Sequence, residues 1–271
     1  MIPRMNKKAA HTGRWILITG ASSGIGEVFV RRFAREGSHM VLIARSADKL
    51  NTLARELETE FGVQTLVVAI DLSLKEAAAT IFSRVKENRI QLYGIINNAG
   101  FGAGRAFHKS LLEPYLKMID VNIRALVELT HLFLPGLISQ NEGLILNVSS
   151  TASYQPIPLT SVYAASKSFV TSFTEALWLE LKETKIRVMN LCPGLTKTPF
   201  GVSAGLRDFR NDPFAETPEQ VVTHAFDAFS KDNPTVISGF HNYLIIWLER
   251  FIPHRILLFL VLAFQKSRRS V

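Results

Sequence analysis

A single cysteine, Cys192, stands in a chain of 271 residues. One thiol makes no internal disulfide, and no zinc-ligand spacing accompanies it, so disulfide-stapled and metal-centred classes are set aside. Cys192 itself, placed before Pro193 at a strand end, reads as a small buried hydrophobe. Such a chain suits a reducing compartment, and a cytoplasmic location is expected. Long hydrophobic runs are scarce too. Met1 to Gly13 lacks the apolar stretch of a secretory signal, and Ile256 to Phe264 falls short of the ~20 residues that cross a bilayer as a helix. Acidic residues are the minority: 23 Asp and Glu against 31 Lys and Arg leave a formal charge of +8. That balance favours an anionic partner, yet no aromatic RNA-binding motif or DNA-reading helix pair accompanies it, so no nucleic acid is expected. The basic residues gather at the ends, with Arg4, Lys7, Lys8 and Arg14 at one and Lys266, Arg268 and Arg269 at the other. A membrane surface is the anionic partner this placement suggests.

What the chain has in quantity is apolar sequence in short pieces; 47% hydrophobic and 20% charged residues exclude disorder and fibrous repeats. Aliphatic runs at Trp15 to Thr19, Met40 to Ala44, Thr65 to Ile70, Gly94 to Asn97, Leu144 to Val148 and Arg187 to Leu191 read as strands. Segments of helical period alternate with them, roughly at 25–36, 47–61, 74–86, 113–139, 161–183 and 218–231. This alternation predicts an α/β protein, a parallel sheet with helices on both faces. It leaves no linker. The expected organisation is one Rossmann-like unit over residues 13–240 and an apolar, basic helical extension over 241–271.

The segment 113–139 is apolar on several faces, through Leu116, Ile119, Val121, Ile123, Leu126, Leu129 and Phe133. Such breadth predicts contact with both the sheet and a second subunit, hence a homo-oligomer, while Pro135 should kink or break the helix. In the extension, Tyr243 to Trp247 and Ile256 to Phe264 are apolar but interrupted by Glu249, Arg250, Pro253, His254 and Arg255. Two readings stand: a terminal helix that closes a cleft or meets another subunit, and a peripheral membrane anchor.

Two motifs carry chemistry. Thr19 to Gly26 reads TGASSGIG behind the first strand, where glycines let the backbone approach a pyrophosphate and the next helix presents free amides. Gly20, Gly24 and Gly26 meet that need, with Ser22, Ser23 and Ile25 between them. Tyr163 and Lys167 form a YxxxK pair, and positions i and i+4 share a helix face. A phenol titrates near ~10 when unperturbed, and an adjacent ammonium is expected to lower it into a useful range for carbonyl chemistry. Together the motifs outline a nicotinamide oxidoreductase.

With these motifs, NNAG at Asn97 to Gly100, Asn122, a serine before YAASK, and PG at Pro193 and Gly194, the chain resembles the short-chain dehydrogenase/reductase family. The resemblance covers roughly 13–231 and implies seven strands in the order 3-2-1-4-5-6-7. It further implies that Asp71 and Leu72 flank an adenine, that Asn97, Asn98, Ala99 and Gly100 border the cofactor, and that Pro193 and Gly194 turn beside the nicotinamide. Thr196 would meet the carboxamide and Thr198 the diphosphate. Ser149 and Ser150 compete for the catalytic serine; family spacing selects Ser150. Asn122 corresponds to the residue whose backbone holds a water beside the lysine. Where NAD-preferring members carry an acid after the second strand, this chain has Ala44 and Arg45, which implies NADP(H), with Arg45 on the 2'-phosphate and Ser46 or Ser22 assisting.

Between Thr198 and Thr217, where the family places its variable lid, lie Phe200, Val202, Leu206, Phe209 and Phe214. With Phe101, Tyr154, Ile157 and Leu159 as further walls, they predict an apolar carbonyl or alcohol substrate such as a ketoacyl chain, a sterol-like ketone or a lipid aldehyde. Arg207 and Arg210 are either contacts for an anionic tail or solvated charges. The rival class is a nonenzymatic NADP(H) sensor or membrane-associated interaction module.

Overall fold

The computed structural model describes residues 11–205, 208–229, 231 and 233–267. Seven parallel strands form one sheet in the order β3-β2-β1-β4-β5-β6-β7. They are β1 (Trp15–Thr19), β2 (His39–Ala44), β3 (Thr65–Ala69), β4 (Leu92–Asn97), β5 (Gly143–Val148), β6 (Ile186–Cys192) and β7 (Thr235–Ile237). Six match the aliphatic runs to within two residues. The seventh has only three residues, all partly exposed at the sheet edge, and so lacks the long β-branched run that marks a central strand.

Alternation within β1 shows how the sheet acquires two cores. Ile16 and Ile18 face one side, where they join Phe29, Phe33 and Val221 from α1 (Gly24–Arg35) and α8 (Pro218–Ala228); Leu17 faces the other, with Ile81, Leu129 and Leu177. The second face is covered by α3 (Ala77–Glu87), α5 (Ala125–Gln140) and α6 (Ser161–Glu180). Burial of both faces is what makes these strands continuous apolar runs. The remaining helices are α2 (Ala47–Phe61), α4 (Glu113–Ile119), α7 (Phe200–Ser203), α9 (Phe240–Glu249) and α10 (His254–Ser267).

Pro135 does not break α5, which continues to Gln140. A proline removes one amide and frees the carbonyl four residues back; that residue, His131, is exposed, while Phe133 and Leu137 hold the other face in the core. The irregularity of the long helix lies earlier, in a π-helical turn at Asp120–Arg124. The stretch Glu113–Gln140 is long and apolar enough to cross a membrane, but Met118, Asn122, Leu129 and Phe133 are buried against the sheet or neighbouring helices, which marks a core helix.

The carboxyl ends of the strands lie along one edge, and the strand order reverses between β1 and β4. That reversal opens a crevice above the sheet. At its base, Gly20 has φ +66°, and a Cβ there would lie 2.7 Å from Asn98 Nδ2. Gly26 is a different case: a Cβ would overlap the Gly20 carbonyl oxygen, and Gly26 does not line the crevice. Its bare Cα lets α1 pack onto the turn. Gly26→Ala should lower stability by about 3 kcal/mol, since the overlapped atoms are backbone; urea denaturation would read this, and a wild-type midpoint would contradict it.

Candidate active site

One cavity of about 2130 Å³ runs over the strand ends. Ligand sites for drug-sized molecules hold ~300–1,000 Å³, so there is room for a dinucleotide and a second molecule together. It divides into a phosphate turn, a cationic end, a tyrosine centre and an apolar end.

At the phosphate turn, Ser22, Ser23, Gly24 and Ile25 line the cavity. Ser23 precedes α1 in extended conformation and its hydroxyl does not cap the helix, which leaves the first-turn amides open to an anion. The turn is tied to the β4 end by Thr19, whose Oγ1 accepts from the amides of Asn98 at 3.0 Å and Ala99 at 2.9 Å. Asn98 Nδ2 donates back to the Thr19 carbonyl at 2.9 Å. Asn98, Ala99 and Gly100 line the cavity, whereas Asn97 turns into the core and donates to Asn147 and Thr130. Asn97 is therefore a sheet residue and not a cofactor border.

At the cationic end, Arg45, Ser46, Asp71 and Leu72 line the wall. The Ser73 amide donates to Asp71 Oδ1 at 2.9 Å and, with Arg45 and Lys117 nearby, holds that carboxyl below its ordinary range. Lys49 and Lys117 line the same end and were absent from the expected set. Lys49 sits one turn along α2 from Arg45, a spacing visible in sequence; Lys117 arrives from α4 by tertiary folding alone.

At the centre, α6 presents Tyr163 and Lys167 beside the β5 end. Ser149 is buried, its hydroxyl bonded to the Lys167 carbonyl at 2.8 Å and to Thr171 at 2.8 Å. Ser150 is the neighbour that favours the ionised Tyr163 phenol by hydrogen bonding. The expected electrostatics are corrected. Burial pushes the Tyr163 phenol up to about 12, with only Ser150 pulling it down, and burial brings Lys167 down to about 8. The Lys167 amine donates to the Val148 carbonyl at 2.9 Å and lies 5.8 Å from the Tyr163 ring centroid. Removing both groups from water outweighs their proximity on one helix face.

Asn122 lies in the π-helical turn and does not line the cavity. Its side chain receives the Phe101 amide and donates to the Phe101 carbonyl, both at 3.1 Å, and to Ser166 at 3.0 Å. It thus fastens the loop after β4 to α6. Pro193, Gly194, Thr196 and Thr198 all line the cavity, and Asn242 of α9 sits so close to Gly194 that no Cβ would fit.

The apolar end is walled by Phe101, Ile157, Phe200, Phe209 and Phe214, with the Phe200 ring 5.5 Å from that of Tyr163. Tyr154 and Leu159 are not on this wall; the Tyr154 hydroxyl is turned to Cys192 Sγ, 3.9 Å away. Val202 is exposed outside it. Arg210 pairs with Asp208 in solvent and contributes nothing to the cavity, and Leu206 and Arg207 lie outside the described residues. The extension supplies the wall that was only partly anticipated, through Ile245, Ile246, Leu248 and Leu257. Glu249 and Gln155 are the polar pair of this end: the Gln155 amide nitrogen reaches Glu249 Oε2 at 3.2 Å, and burial pushes the Glu249 carboxyl up.

A glycine turn against helix amides, a cationic end and a Tyr, Ser and Lys group about a buried ammonium define an α/β oxidoreductase site. The short chain dehydrogenase family model matches residues 14–207, and the chain belongs to that family. It is 30% identical over 266 residues to the very-long-chain 3-oxoacyl-CoA reductase of Mus musculus, covering 95% of this chain and 81% of that protein. It is 32% identical over 248 residues to the 17-beta-hydroxysteroid dehydrogenase type 3 of Mus musculus, covering 90% and 78%. A short-chain dehydrogenase from Sphingobium yanoikuyae, solved in complex with NADPH, superposes with a TM-score of 0.79 at 30% identity, over 89% of this chain and 96% of that one.

Proposed function

We propose that this protein reduces the carbonyl of an apolar, lipid-like substrate with NADP(H), Tyr163 acting as the proton donor. The observation that carries this reading is the position of Tyr163, a phenol held up to about 12, where the glycine-lined and apolar parts of one cavity meet. The glycine turn and open α1 amides suit a pyrophosphate, and Arg45, Ser46, Lys49 and Lys117 suit a 2'-phosphate. When bound, NADPH supplies a hydride to the carbonyl carbon.

The residues of the chain do the rest. Ser150 donates to the carbonyl oxygen, which gathers negative charge as the carbon accepts the hydride. Tyr163 gives that oxygen its phenolic proton, so that C=O becomes CH–OH and the phenolate is reprotonated from solvent. Lys167, protonated below about 8, stabilises the phenolate, and Asn122 holds the loop and α6 in register for a water relay. Relatives named as a very-long-chain 3-oxoacyl-CoA reductase and a hydroxysteroid dehydrogenase support an apolar substrate. A complete Ser150, Tyr163 and Lys167 set argues against a pure sensor. Exposed Leu116, Ile119 and Phe169 on α4 and α6 support a homodimer, and the exposed apolar side chains of the extension support peripheral contact with a membrane.

NADPH oxidation against a panel of ketoacyl, steroidal and aldehyde substrates tests the reading, with sugars and small polar ketones expected to be inert. Its pH profile has a definite sign. Tyr163 keeps its proton up to about 12 while Lys167 loses its own above about 8, so the reduction rate should be level below pH 8 and fall above it. A rate that rises through pH 9, or activity confined to sugars, would contradict the assignment.

A further inference from the structure

The outer face of α9 and α10 carries large apolar side chains where water would otherwise meet polar ones. Phe240 is 80% exposed, Phe251 69% and Phe259 67%. Trp247 and Phe251, whose rings meet edge to face at 4.9 Å, stand on this face without lining the cavity. Contiguous apolar surface of this kind marks an interaction site.

Its second property is continuity with the interior. Ile245, Leu248 and Leu260 are 53%, 47% and 53% exposed, yet all three also line the cavity. One apolar surface therefore runs from the outside of the protein to the Phe200 and Tyr163 rings. The third property is charge. Glu249 is the only acid between Phe240 and Ser267, and it is half-buried in the cavity wall beside Gln155. Arg250, His254 and Arg255 are exposed. The face is thus apolar with a cationic rim, the pattern that favours an interface with anionic headgroups. Helices of 10 and 14 residues are too short to cross a bilayer and suit its plane. A second copy of the chain fits less well, since a two-fold contact would bring the same cationic rim against itself.

We propose that α9 and α10 seat on an anionic phospholipid bilayer and that the opening bordered by Ile245, Leu248 and Leu260 takes the carbonyl substrate directly from the lipid. The proposal rests on the reductase reading and adds the route by which substrate arrives. It predicts a substrate that partitions into membranes, and a rate set by its surface concentration in the bilayer.

The test uses the full chain and a Trp247→Glu, Phe251→Glu variant, neither position being part of the cavity wall. Co-sedimentation with vesicles containing phosphatidylglycerol should show binding of the wild type, weaker binding to phosphatidylcholine alone, and a loss of about tenfold or more in the variant, since two buried aromatic anchors are replaced by charges. NADPH binding by fluorescence and turnover of a medium-chain apolar ketone dissolved in water below its solubility limit should stay at wild-type levels, whereas turnover of a ketone dissolved in the vesicles should fall in step with binding. Wild type that ignores anionic vesicles, including one whose size-exclusion volume shows this face taken by a second copy, overturns the proposal. So does a variant that loses vesicle binding but reduces the membrane ketone as before. Failure of the soluble ketone in the wild type would instead strike the reductase reading, because vesicle binding is scored without turnover.

Discussion

Tyr163→Phe should bind NADPH as the wild type does and reduce carbonyls about 10² to 10⁴ times more slowly, the usual cost of losing a positioned acid. The substitution removes one oxygen and keeps the ring, so packing against Phe200 survives. What disappears is the proton that neutralises the developing alkoxide. With the Tyr163 phenol held up to about 12, nearly every molecule carries that proton at neutral pH, and no other hydroxyl in the centre duplicates it: Ser149 is engaged by the Lys167 carbonyl and Thr171, and Ser150 is placed to donate a hydrogen bond. Stopped-flow hydride transfer, with cofactor affinity measured separately, checks this. Turnover within a few-fold of wild type would remove Tyr163 from its role.

Arg45→Asp should shift the ratio of kcat/KM for NADPH over NADH by about 100-fold towards NADH. A charge-assisted contact to phosphate contributes roughly 1.5–3 kcal/mol, and each ~1.4 kcal/mol is a factor of ten. A carboxylate at position 45 adds repulsion of the 2'-phosphate and offers an acceptor to the ribose hydroxyls of NAD. Lys49 and Lys117 line the same end and limit the loss of NADPH affinity. Steady-state kinetics with both cofactors reads the ratio; an unchanged preference would reassign the reader to those lysines.

Local sequence carried much of the site because its pieces are contiguous: a glycine turn must follow a strand, and Tyr163 and Lys167 are neighbours by helical periodicity. The sheet was legible for the same reason, as its central strands are uninterrupted aliphatic runs. What escaped depends on contacts between distant segments. Nothing in the spacing of Tyr163 and Lys167 reveals how far the fold withdraws them from water, so the shift of the Tyr163 phenol is read from proximity and comes out reversed. The packing that Gly26 and Asn97 serve is visible only once the Gly20 carbonyl and the Asn147 side chain are in place. Lys117, Gln155 and Glu249 join the cavity from α4, a loop and α9, and no local pattern unites them. Strand β7 is too short and too exposed to announce itself.

The most direct measurement follows the hydride itself. With NADPH deuterated at the transferring position and an apolar ketone as substrate, mass spectrometry should find the label on the carbinol carbon of the product, formed faster than with NADH and nearly abolished in Tyr163→Phe. A protein that binds NADPH yet transfers no label to any apolar carbonyl, or transfers it equally well without the Tyr163 hydroxyl, would contradict the account.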